Sequence, residues 1–381
     1  MDALRAALLA GAILFACLAI FFVWLAYVSR RKPAKLARLH KNPVLEPDAT
    51  HWWESEAVFN PAAFVHNNKI HLLYRALGHD GVSRIGYAVS DDGIHFKRFA
   101  TPAYDPSEES LGLATKARKQ AKQHDRNVLS YENFQYDRAV ASGGGWGGSE
   151  DPRAVVIDDE VWMTFTAFEG WENVRMTLTR SPIDTSETGL FNWDKGIYLS
   201  PPGEVQKNWI LFPEKIRGKF ALITNVYPEI EITYFDPATI EREGYIQSKF
   251  TRKARTGHWD TWIRGAGAPP LKTKYGWLLL YHAIDEKDPG KYKVGAMLLD
   301  LKNPKKVLYR ATEPILEPDE WYENDWKPGV VYATGAVIFN GDLIIYYGGG
   351  DKFVAAAREN LDDFASRLMH NQPTSLEPVT M

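Results

Sequence analysis

DLIIYY, at residues 342–347, is a short run of apolar and aromatic residues that directly follows an Asn-Gly turn. Four earlier segments have the same pattern of a polar turn followed by an apolar strand: KIHLLY at 69–74, EVWMTF at 160–165, KFALIT at 219–224 and YGWLLLY at 275–281. Their last residues lie 91, 59, 57 and 66 residues apart along the chain. Continuous apolar runs are typical of strands covered on both faces, and a repeat of this length is typical of propeller modules. We therefore expect an all-β fold, a five-bladed β-propeller, rather than a two-sheet sandwich, which does not predict the repeat.

The composition of the 381 residues is that of a globular protein, 45% hydrophobic and 24% charged. A net charge of -3 gives no electrostatic reason to expect nucleic acid as a partner. The single cysteine, Cys17, excludes an intrachain disulfide framework and a cysteine-rich zinc site. The 13 Trp and 18 Tyr are consistent with a sugar site, although most such residues belong to a core.

The N-terminal segment 6–28, AALLAGAILFACLAIFFVWLAYV, is apolar and carries no charge. About 20 such residues in a helix cross the roughly 30 Å hydrocarbon layer of a membrane. We therefore expect residues 1–28 to form a transmembrane helix in contact with the lipid bilayer, with a cleaved signal peptide as the alternative. Basic residues follow the run in the segment 29–41, which we interpret as a juxtamembrane linker. Positive charge favours the cytoplasmic side, so we expect the large domain in the cytoplasm.

The remaining chain divides into a catalytic propeller at 42–355 and a C-terminal helix with a tail at 356–381. The helix pattern itself covers 354–368. Within the propeller, the charged segment 104–142 is predicted to be an insertion that contains a basic helix at 113–123. A solvated excursion is the favoured interpretation of this insertion, and contact with a membrane or partner is the alternative.

Familiar catalytic motifs such as HExxH, a serine nucleophile elbow and a P-loop are missing from the sequence. The stretch GGGWGG at 143–148 is instead a flexible loop that could place Trp146 beside a site. Glu150, Asp151, Pro152 and Arg153 follow this loop and precede a predicted strand. Two adjacent acids beside a cation can keep one carboxyl group protonated or oriented, but a structural salt bridge in a turn explains the same residues.

The order of motifs along the chain resembles glycoside hydrolase family 130, the β-mannoside phosphorylases and related mannosidases. The shared motifs cover residues 42 to about 355 and occur in this order: NPVLEP, AVFNPAA, LLYRA, SDDGIHF, EDPR, LFPEKIRGKFAL, GWLLLYH, GAMLLDL, PILEP and YYGGGD. The resemblance implies a five-bladed propeller that acts on an oligosaccharide or glycoside, with no metal or organic cofactor and with inorganic phosphate as co-substrate of the phosphorylases.

The resemblance also implies roles for individual residues. Asp151 matches the general acid, which in this family is thought to protonate the leaving oxygen through a hydroxyl group of the scissile sugar. Asn60, Arg75 and Asp351 match residues that hold the mannosyl unit at the cleavage subsite. Arg153 is expected to orient Asp151 and to take part in substrate binding.

Phosphorolysis requires fixed cations that collect phosphate, and the resemblance assigns this role to Lys207 and His282. The chain departs from the family where a His-Arg pair is replaced by Thr224 and Asn225, which removes one cation. Arg264 is a candidate to replace it.

Hydrolysis is the alternative, and it would need a carboxylate base about 6.5–9.5 Å from the acid. Glu229 and Glu231 could supply that base, although their alternation with an apolar residue also fits an exposed strand face. A third possibility is a membrane-anchored propeller that binds glycans without turnover, but a binding module has no need of the acid Asp151. We expect a phosphorylase that transfers mannose to phosphate with inversion.

Overall fold

The computed structural model describes residues 11–24, 33–126, 143–184, 189–248 and 253–370. The fold is mostly β, and its strands form four sheets. One of these sheets has eight strands and consists of two antiparallel groups joined by a short parallel pairing of residues 82–83 with 147–148. The strands are therefore described below as five successive groups.

The first two groups form the eight-stranded sheet. The first contains β2 (Ala57–His66), β3 (Lys69–Leu77), β4 (Val82–Ser90) and β5 (Lys97–Arg98). The second contains β6 (Gly147–Ile157), β7 (Glu160–Phe168), β8 (Val174–Pro182) and β9 (Ile197–Tyr198).

The other three groups are separate sheets. The third contains β10 (Ile210–Leu211), β11 (Phe220–Asn225) and β12 (Glu231–Phe235). The fourth contains β13 (Trp262–Ala266), β14 (Leu271–Thr273), β15 (Gly276–Asp285), β16 (Asp288–Leu299) and β17 (Val307–Arg310). The fifth contains β18 (Val331–Phe339), β19 (Asp342–Gly349) and β20 (Phe353–Asn360), together with β1 (Ala37–Arg38) from the start of the domain.

The five predicted apolar strands are confirmed as β3, β7, β11, β15 and β19, and each pairs with a strand on both sides. Apolar clusters cover them on both faces because each group packs against its two neighbours in the chain order. A further cluster brings Leu72 of the first group together with Ile344 of the fifth. Because both faces of these strands are buried, their sequences are continuous apolar runs rather than alternating ones.

The N-terminal end of the domain completes the last sheet, because β1 pairs antiparallel with β20. Asn42 adds two hydrogen bonds to the backbone of Ala356, each 2.8 Å long. Arg38 donates two 2.8 Å hydrogen bonds to the buried carboxylate of Glu323. The predicted linker 29–41 is therefore too long, since its residues from 36 onward belong to the folded domain, while 29–32 lie outside the described residues.

The predicted helix in the insertion is confirmed as the insertion helix, Glu108–Arg126, and residues 127–142 of the insertion lie outside the described residues. The predicted C-terminal helix over 354–368 is partly wrong. Residues to Asn360 continue β20, because the buried alanines of this segment pair with β19, and the helix is Leu361–His370. Shorter helical segments are Trp52–Glu54, Ile240–Glu243 and Trp321–Glu323.

Residues 11–24 of the predicted anchor are helical, and residues 6–10 and 25–28 lie outside the described residues. Within the described ranges, the structure contains no helix with both the length and the apolar character needed to cross a membrane.

Candidate active site

A cavity of about 390 Å³ opens where all five groups of strands meet. Its wall carries four cations and two carboxylates. The charged residues that line it are Arg75, Lys207, Arg264, Lys327, Asp151 and Asp351. Four of the predicted site residues, Asn60, Arg75, Asp151 and Asp351, are thus brought together with the predicted phosphate ligand Lys207.

Backbone irregularities direct several of these side chains into the cavity. Asn60 and Asp151 each lie in a bulge, between Phe59 and Ala62 in β2 and between Glu150 and Arg153 in β6. Both residues adopt positive φ angles, 48° and 51°, and Asp351 in the turn before β20 has a φ of 53°. Left-handed backbone at residues other than glycine is costly and is found at sites where a side chain must be aimed. Three of the predicted catalytic and sugar-binding residues therefore have this backbone conformation, which also occurs in strand turns such as Asp158 and Asn340.

Asp151 is buried and lies between hydrogen-bond donors. Its Oδ1 accepts a 2.8 Å hydrogen bond from Asn60 Nδ2 and faces Arg75 Nη1 at 3.3 Å. Burial raises the pKa of Asp151, but the charges of Arg75, Lys207 and Arg153 and the bond from Asn60 outweigh it and lower the pKa to about 2. Asp151 is therefore a carboxylate at neutral pH in the ligand-free protein.

Glu150 supports this arrangement from beneath the cavity wall. Its carboxylate accepts hydrogen bonds from Arg75 Nη2 at 2.9 Å and from Lys207 Nζ at 3.1 Å. Arg75 also donates to Ser83 Oγ at 3.1 Å. Burial alone would lower the pKa of Arg75, but the neighbouring charges of Glu150, Asp151 and Asp351 raise it. Arg75 is therefore a fixed cation with a defined direction.

Asp351 also lines the cavity, and its Oδ2 accepts a 2.7 Å hydrogen bond from Lys327 Nζ. Asn60 lies close to the backbone of β19 at Gly348. A Cβ atom built at Gly348 would lie 2.0 Å from Asn60 Oδ1, so only glycine permits this approach. The motif YYGGGD therefore contributes both a cavity-lining carboxylate and the space that Asn60 occupies.

Arg153 lies behind the wall rather than lining the cavity, which corrects its predicted role in substrate binding. It donates to the backbone carbonyl oxygen of Asp151 at 2.7 Å and to Asn208 Oδ1 at 2.8 Å. It thus contacts the backbone of the acid and not its carboxylate. The reason is the bulge in β6, which places Asp151 and Arg153 on different sides of the strand.

His282 is fully buried beneath Tyr332, and the two rings stack with centroids 3.9 Å apart. It is not among the described residues that line the cavity, so the structure does not place this predicted phosphate ligand at the surface of the site. Burial, followed by the charge of Arg153, lowers the pKa of His282 to about 3. In this structure, His282 is therefore a neutral ring that packs against Tyr332.

Of the two residues that depart from the family pattern, Thr224 and Asn225, one lines the cavity. Thr224 lines the cavity, whereas the side chain of Asn225 turns back to accept a 3.0 Å hydrogen bond from Val226 N. Arg264, the candidate replacement, lines the cavity from β13, where a bulge between Ile263 and Gly265 interrupts the pairing. In the described part of the chain, Arg264 makes no ion pair.

The carboxylates considered as a hydrolytic base, Glu229 and Glu231, lie outside the cavity lining. Glu229 is exposed to solvent. Glu231 lies behind Thr224, whose hydroxyl group donates to it at 3.4 Å. Neither carboxylate is placed to activate a water molecule in the cavity of this structure.

One cluster among the described residues has the geometry of metal ligands and consists of Asp48, His51 and Glu54. It is not part of the cavity lining. Glu54, its buried member, already accepts a 2.7 Å hydrogen bond from Tyr74 and faces Arg98 at 3.4 Å. A cation at this position would compete with an existing positive charge.

Several cavity residues were not found from the sequence: Trp171, Asn208, Tyr292, Lys327 and Tyr332. Asn208 accepts hydrogen bonds from Arg153 and from Tyr332, the latter at 2.7 Å, and so connects strands that are far apart in the sequence. The one local signal that could have indicated Asn208 is its position directly after Lys207. Trp171 occurs in a turn and Lys327 in a bend, Tyr292 and Tyr332 occur in strands β16 and β18, and none of the four is part of a recognised motif.

Comparison with known proteins shows to which family the chain belongs. The sequence model of glycoside hydrolase family 130, described as beta-1,4-mannooligosaccharide phosphorylase, matches residues 139–368. The chain belongs to glycoside hydrolase family 130. The resemblance inferred from the motifs is thus confirmed, and the cavity formed by Asp151 and its neighbours is the candidate active site of a family 130 protein.

Two curated family 130 relatives come from Thermoanaerobacter sp. (strain X514). The chain is 36% identical to a 1,2-beta-oligomannan phosphorylase, over 86% of this chain and 98% of the relative. It is 35% identical to a beta-1,2-mannobiose phosphorylase, over 85% of this chain and 96% of the relative. A solved structure of a beta-1,2-mannobiose phosphorylase from Listeria innocua has the same fold, with a TM-score of 0.62, 22% identity, and coverage of 87% of this chain and 99% of that one.

Proposed function

We propose that this protein is an inverting β-mannoside phosphorylase. Phosphate attacks the anomeric carbon of the terminal mannosyl unit from the face opposite the glycosidic oxygen, and a new carbon–oxygen bond to phosphate forms as the glycosidic bond breaks. The leaving oxygen takes the proton of Asp151, and the products are α-mannose 1-phosphate and a shortened sugar. Inversion follows because a single displacement reverses the anomeric configuration.

The observation that carries this proposal is the distribution of charge in the cavity. Lys207 and Arg264 line it near Thr224, and Arg264 has no ion pair within the described residues. Fixed cations of this kind bind phosphate and hold it for in-line attack. The candidate bases for hydrolysis lie outside the lining, and Asp351 is already bonded to Lys327 at 2.7 Å. The site is thus better suited to an anionic nucleophile than to an activated water molecule.

The charge of phosphate also explains how Asp151 can act as an acid. In the ligand-free protein, nearby cations, among them Lys207, lower its pKa to about 2. A phosphate anion beside Lys207 compensates part of this positive charge, and bound sugar removes the remaining contact with water. Both effects raise the pKa of a carboxyl group. Asp151 then takes up a proton from solvent before it protonates the leaving oxygen.

The relatives indicate which substrates should be tested first. Both Thermoanaerobacter relatives are named for β-1,2-linked mannosides, and the family model is named for β-1,4-linked ones. We therefore propose β-1,2-mannobiose and its oligomers as substrates, with β-1,4-mannobiose as the comparison.

The test is incubation of the purified full chain with each mannobiose, with and without phosphate. We expect α-mannose 1-phosphate to appear only when phosphate is present. Asp151→Asn should lower kcat by about 10²–10⁴-fold, the usual contribution of a general acid. Asp158→Asn is the matched control, because Asp158 lies in the turn between β6 and β7 with a similar φ of 52° but is exposed. Free mannose formed equally well without phosphate would instead identify a hydrolase, and no turnover would favour a glycan-binding protein.

Two wider features complete the proposal. The five groups of strands correspond to five propeller blades, with β1 completing the last one, which is supported by the apolar clusters between successive groups. The apolar run 6–28 anchors the enzyme in a membrane with its catalytic domain on the cytoplasmic side, which is supported by the basic residues that follow the run. Cell fractionation and protease protection of the full chain test this placement.

A further inference from the structure

The cavity has a buried polar end and a more exposed mouth, where apolar side chains lie in the same wall as the exposed cation Arg264. Asn60, Arg75, Asp151 and Asp351 at the inner end are at most 6% exposed. The mouth includes Val205, which is 55% exposed, and the half-buried side chain of Trp171. A sugar that enters this cavity meets hydrogen-bonding groups at one end and an aromatic face at the other.

Trp171 and Val205 are held together by the backbone. Trp171 lies in the turn between β7 and β8, which is closed by a 3.0 Å hydrogen bond from Asn173 N to Gly170 O. Directly after the turn, Val174 forms a parallel bridge with Val205. Asn173 Oδ1 also accepts a hydrogen bond from Gly203 N at 3.1 Å, so the turn is bonded to the loop that precedes Lys207. These backbone bonds place the two cavity-lining side chains on adjacent segments, and the pair is called here the acceptor shelf (Trp171 and Val205).

The insertion helix supports the acceptor shelf from outside. Ala117 of the helix packs on Gly170, where a built Cβ atom would lie 2.5 Å from the Cβ of Ala117. One turn earlier, Ala114 packs on Gly147 at a comparable built distance of 2.7 Å. Gly147 lies in the strand that leads to Asp151, so the helix contacts both the segment of the acid and the turn of Trp171. The ring of Trp171 is further fixed by an edge contact with Phe168, with centroids 5.2 Å apart.

We propose that Trp171 is the stacking platform for the acceptor sugar, the unit that carries the leaving oxygen, and that the insertion helix positions it. This inference rests on the proposed phosphorylase function. Pyranose rings have an apolar face of C–H groups that packs on flat aromatic surfaces, and such contacts tolerate sugars of different length because they make no directional hydrogen bond. Trp171 thus determines how well a mannoside acceptor binds, whereas the buried polar end determines which sugar is transferred.

The reaction run towards synthesis separates the two subsites. In that direction, the acceptor hydroxyl oxygen forms a bond to the anomeric carbon of α-mannose 1-phosphate, phosphate leaves, and the hydroxyl proton passes to Asp151. We expect Trp171→Ala to raise the KM for the acceptor mannoside about 10-fold, while the KM for mannose 1-phosphate stays within about 2-fold. Trp171→Phe keeps a flat ring and should recover most of the loss. The matched control is Trp52→Ala, an exposed tryptophan that does not line the cavity.

A change in both KM values by the same factor, or in neither, would overturn the assignment of Trp171 to the acceptor. If the wild-type protein forms no sugar phosphate, the proposed function fails, and calorimetric titration with β-1,2-mannobiose still tests the shelf. In that case, Trp171→Ala should weaken binding about 10-fold relative to wild type and to Trp52→Ala. Equal affinities in this titration would overturn the shelf itself. If Trp171→Ala does not fold, Trp171→Leu provides the test, because it keeps an apolar side chain without the flat ring and should raise the KM for the acceptor in the same way.

Discussion

Replacing His282 with Gln should make the stability of the protein less sensitive to acid. His282 is fully buried, and its pKa is lowered from 6.5 to about 3. Between these two values, the unfolded chain binds a proton at this residue that the folded protein does not bind. The free energy of unfolding therefore falls as the pH drops from about 7 towards 3, by about 1.4 kcal/mol per pH unit below 6.5. At pH 4.5, two units below the unfolded value, the loss is about 3 kcal/mol.

His282→Gln removes this proton, so its stability relative to wild type should improve by about 3 kcal/mol between pH 7.5 and pH 4.5. Its absolute stability at pH 7.5 should be lower, because the stacking contact with Tyr332 at 3.9 Å is lost. Urea unfolding of both full-length proteins at pH 7.5, 5.5 and 4.5 measures the change. His258→Gln is the control, because it makes the same substitution at an exposed position.

A stability difference between His282→Gln and wild type that stays constant over this pH range would refute the reasoning. It would mean that the His282 ring can be protonated in the folded protein. A selective rise in the KM for phosphate in His282→Gln, without a matching rise for the sugar, would then restore the phosphate-binding role expected from the family resemblance.

Two further substitutions test the packing that positions Asn60 and the ion pair that attaches the N-terminal segment to the domain. Gly348→Ala should displace Asn60 and lower kcat, with a stability loss of about 1–3 kcal/mol, because the new Cβ would lie 2.0 Å from Asn60 Oδ1. Gly290→Ala, where a Cβ meets nothing within 4 Å, should be nearly neutral in the same thermal and kinetic assays. Arg38→Ala should destabilise the protein by about 1–3 kcal/mol, because the buried carboxylate of Glu323 loses its ion-pair partner but keeps its hydrogen bonds from Tyr347 and from two backbone N–H groups. Chemical unfolding measures this loss, and an unchanged midpoint would show that the Arg38–Glu323 ion pair does not stabilise the fold.

The sequence predicted the main strands well because the signal for each is local. An apolar run after a turn is sufficient to identify β3, β7, β11, β15 and β19, and a charged amphipathic stretch is sufficient to identify the insertion helix. The prediction of secondary structure failed where the local sequence pattern favours one structure and strand pairing in the fold produces another. The alanine-rich segment of β20 has the composition of a helix, yet the edge of β19 pairs with all of it, and strand pairing outweighs helix propensity. The same applies to β1, which occurs in a basic segment that resembles a linker.

Site residues divide in a similar way. The family motifs identified Asn60, Arg75, Asp151, Lys207 and Asp351, all of which line the cavity. The motifs could not indicate that Arg153 lies behind the wall, because a bulge of one residue reverses the side of the strand from which a side chain projects. They also could not indicate that His282 is covered by Tyr332, which comes from a distant strand.

The sequence by itself determined the family and the apolar strands and indicated Asp151 as the candidate acid, since each of these depends on residues that are close together in the chain. Only the tertiary structure shows which charged residues surround Asp151. Arg75 reaches Asp151 from 76 positions earlier, and Asn208 and Tyr332 are 124 positions apart. The direction of each side chain depends on bulges and on packing between distant strands, and the pKa of Asp151 depends on charges brought together in the folded protein. These quantities have no local pattern in the sequence because they arise only when the groups of strands pack around a common cavity.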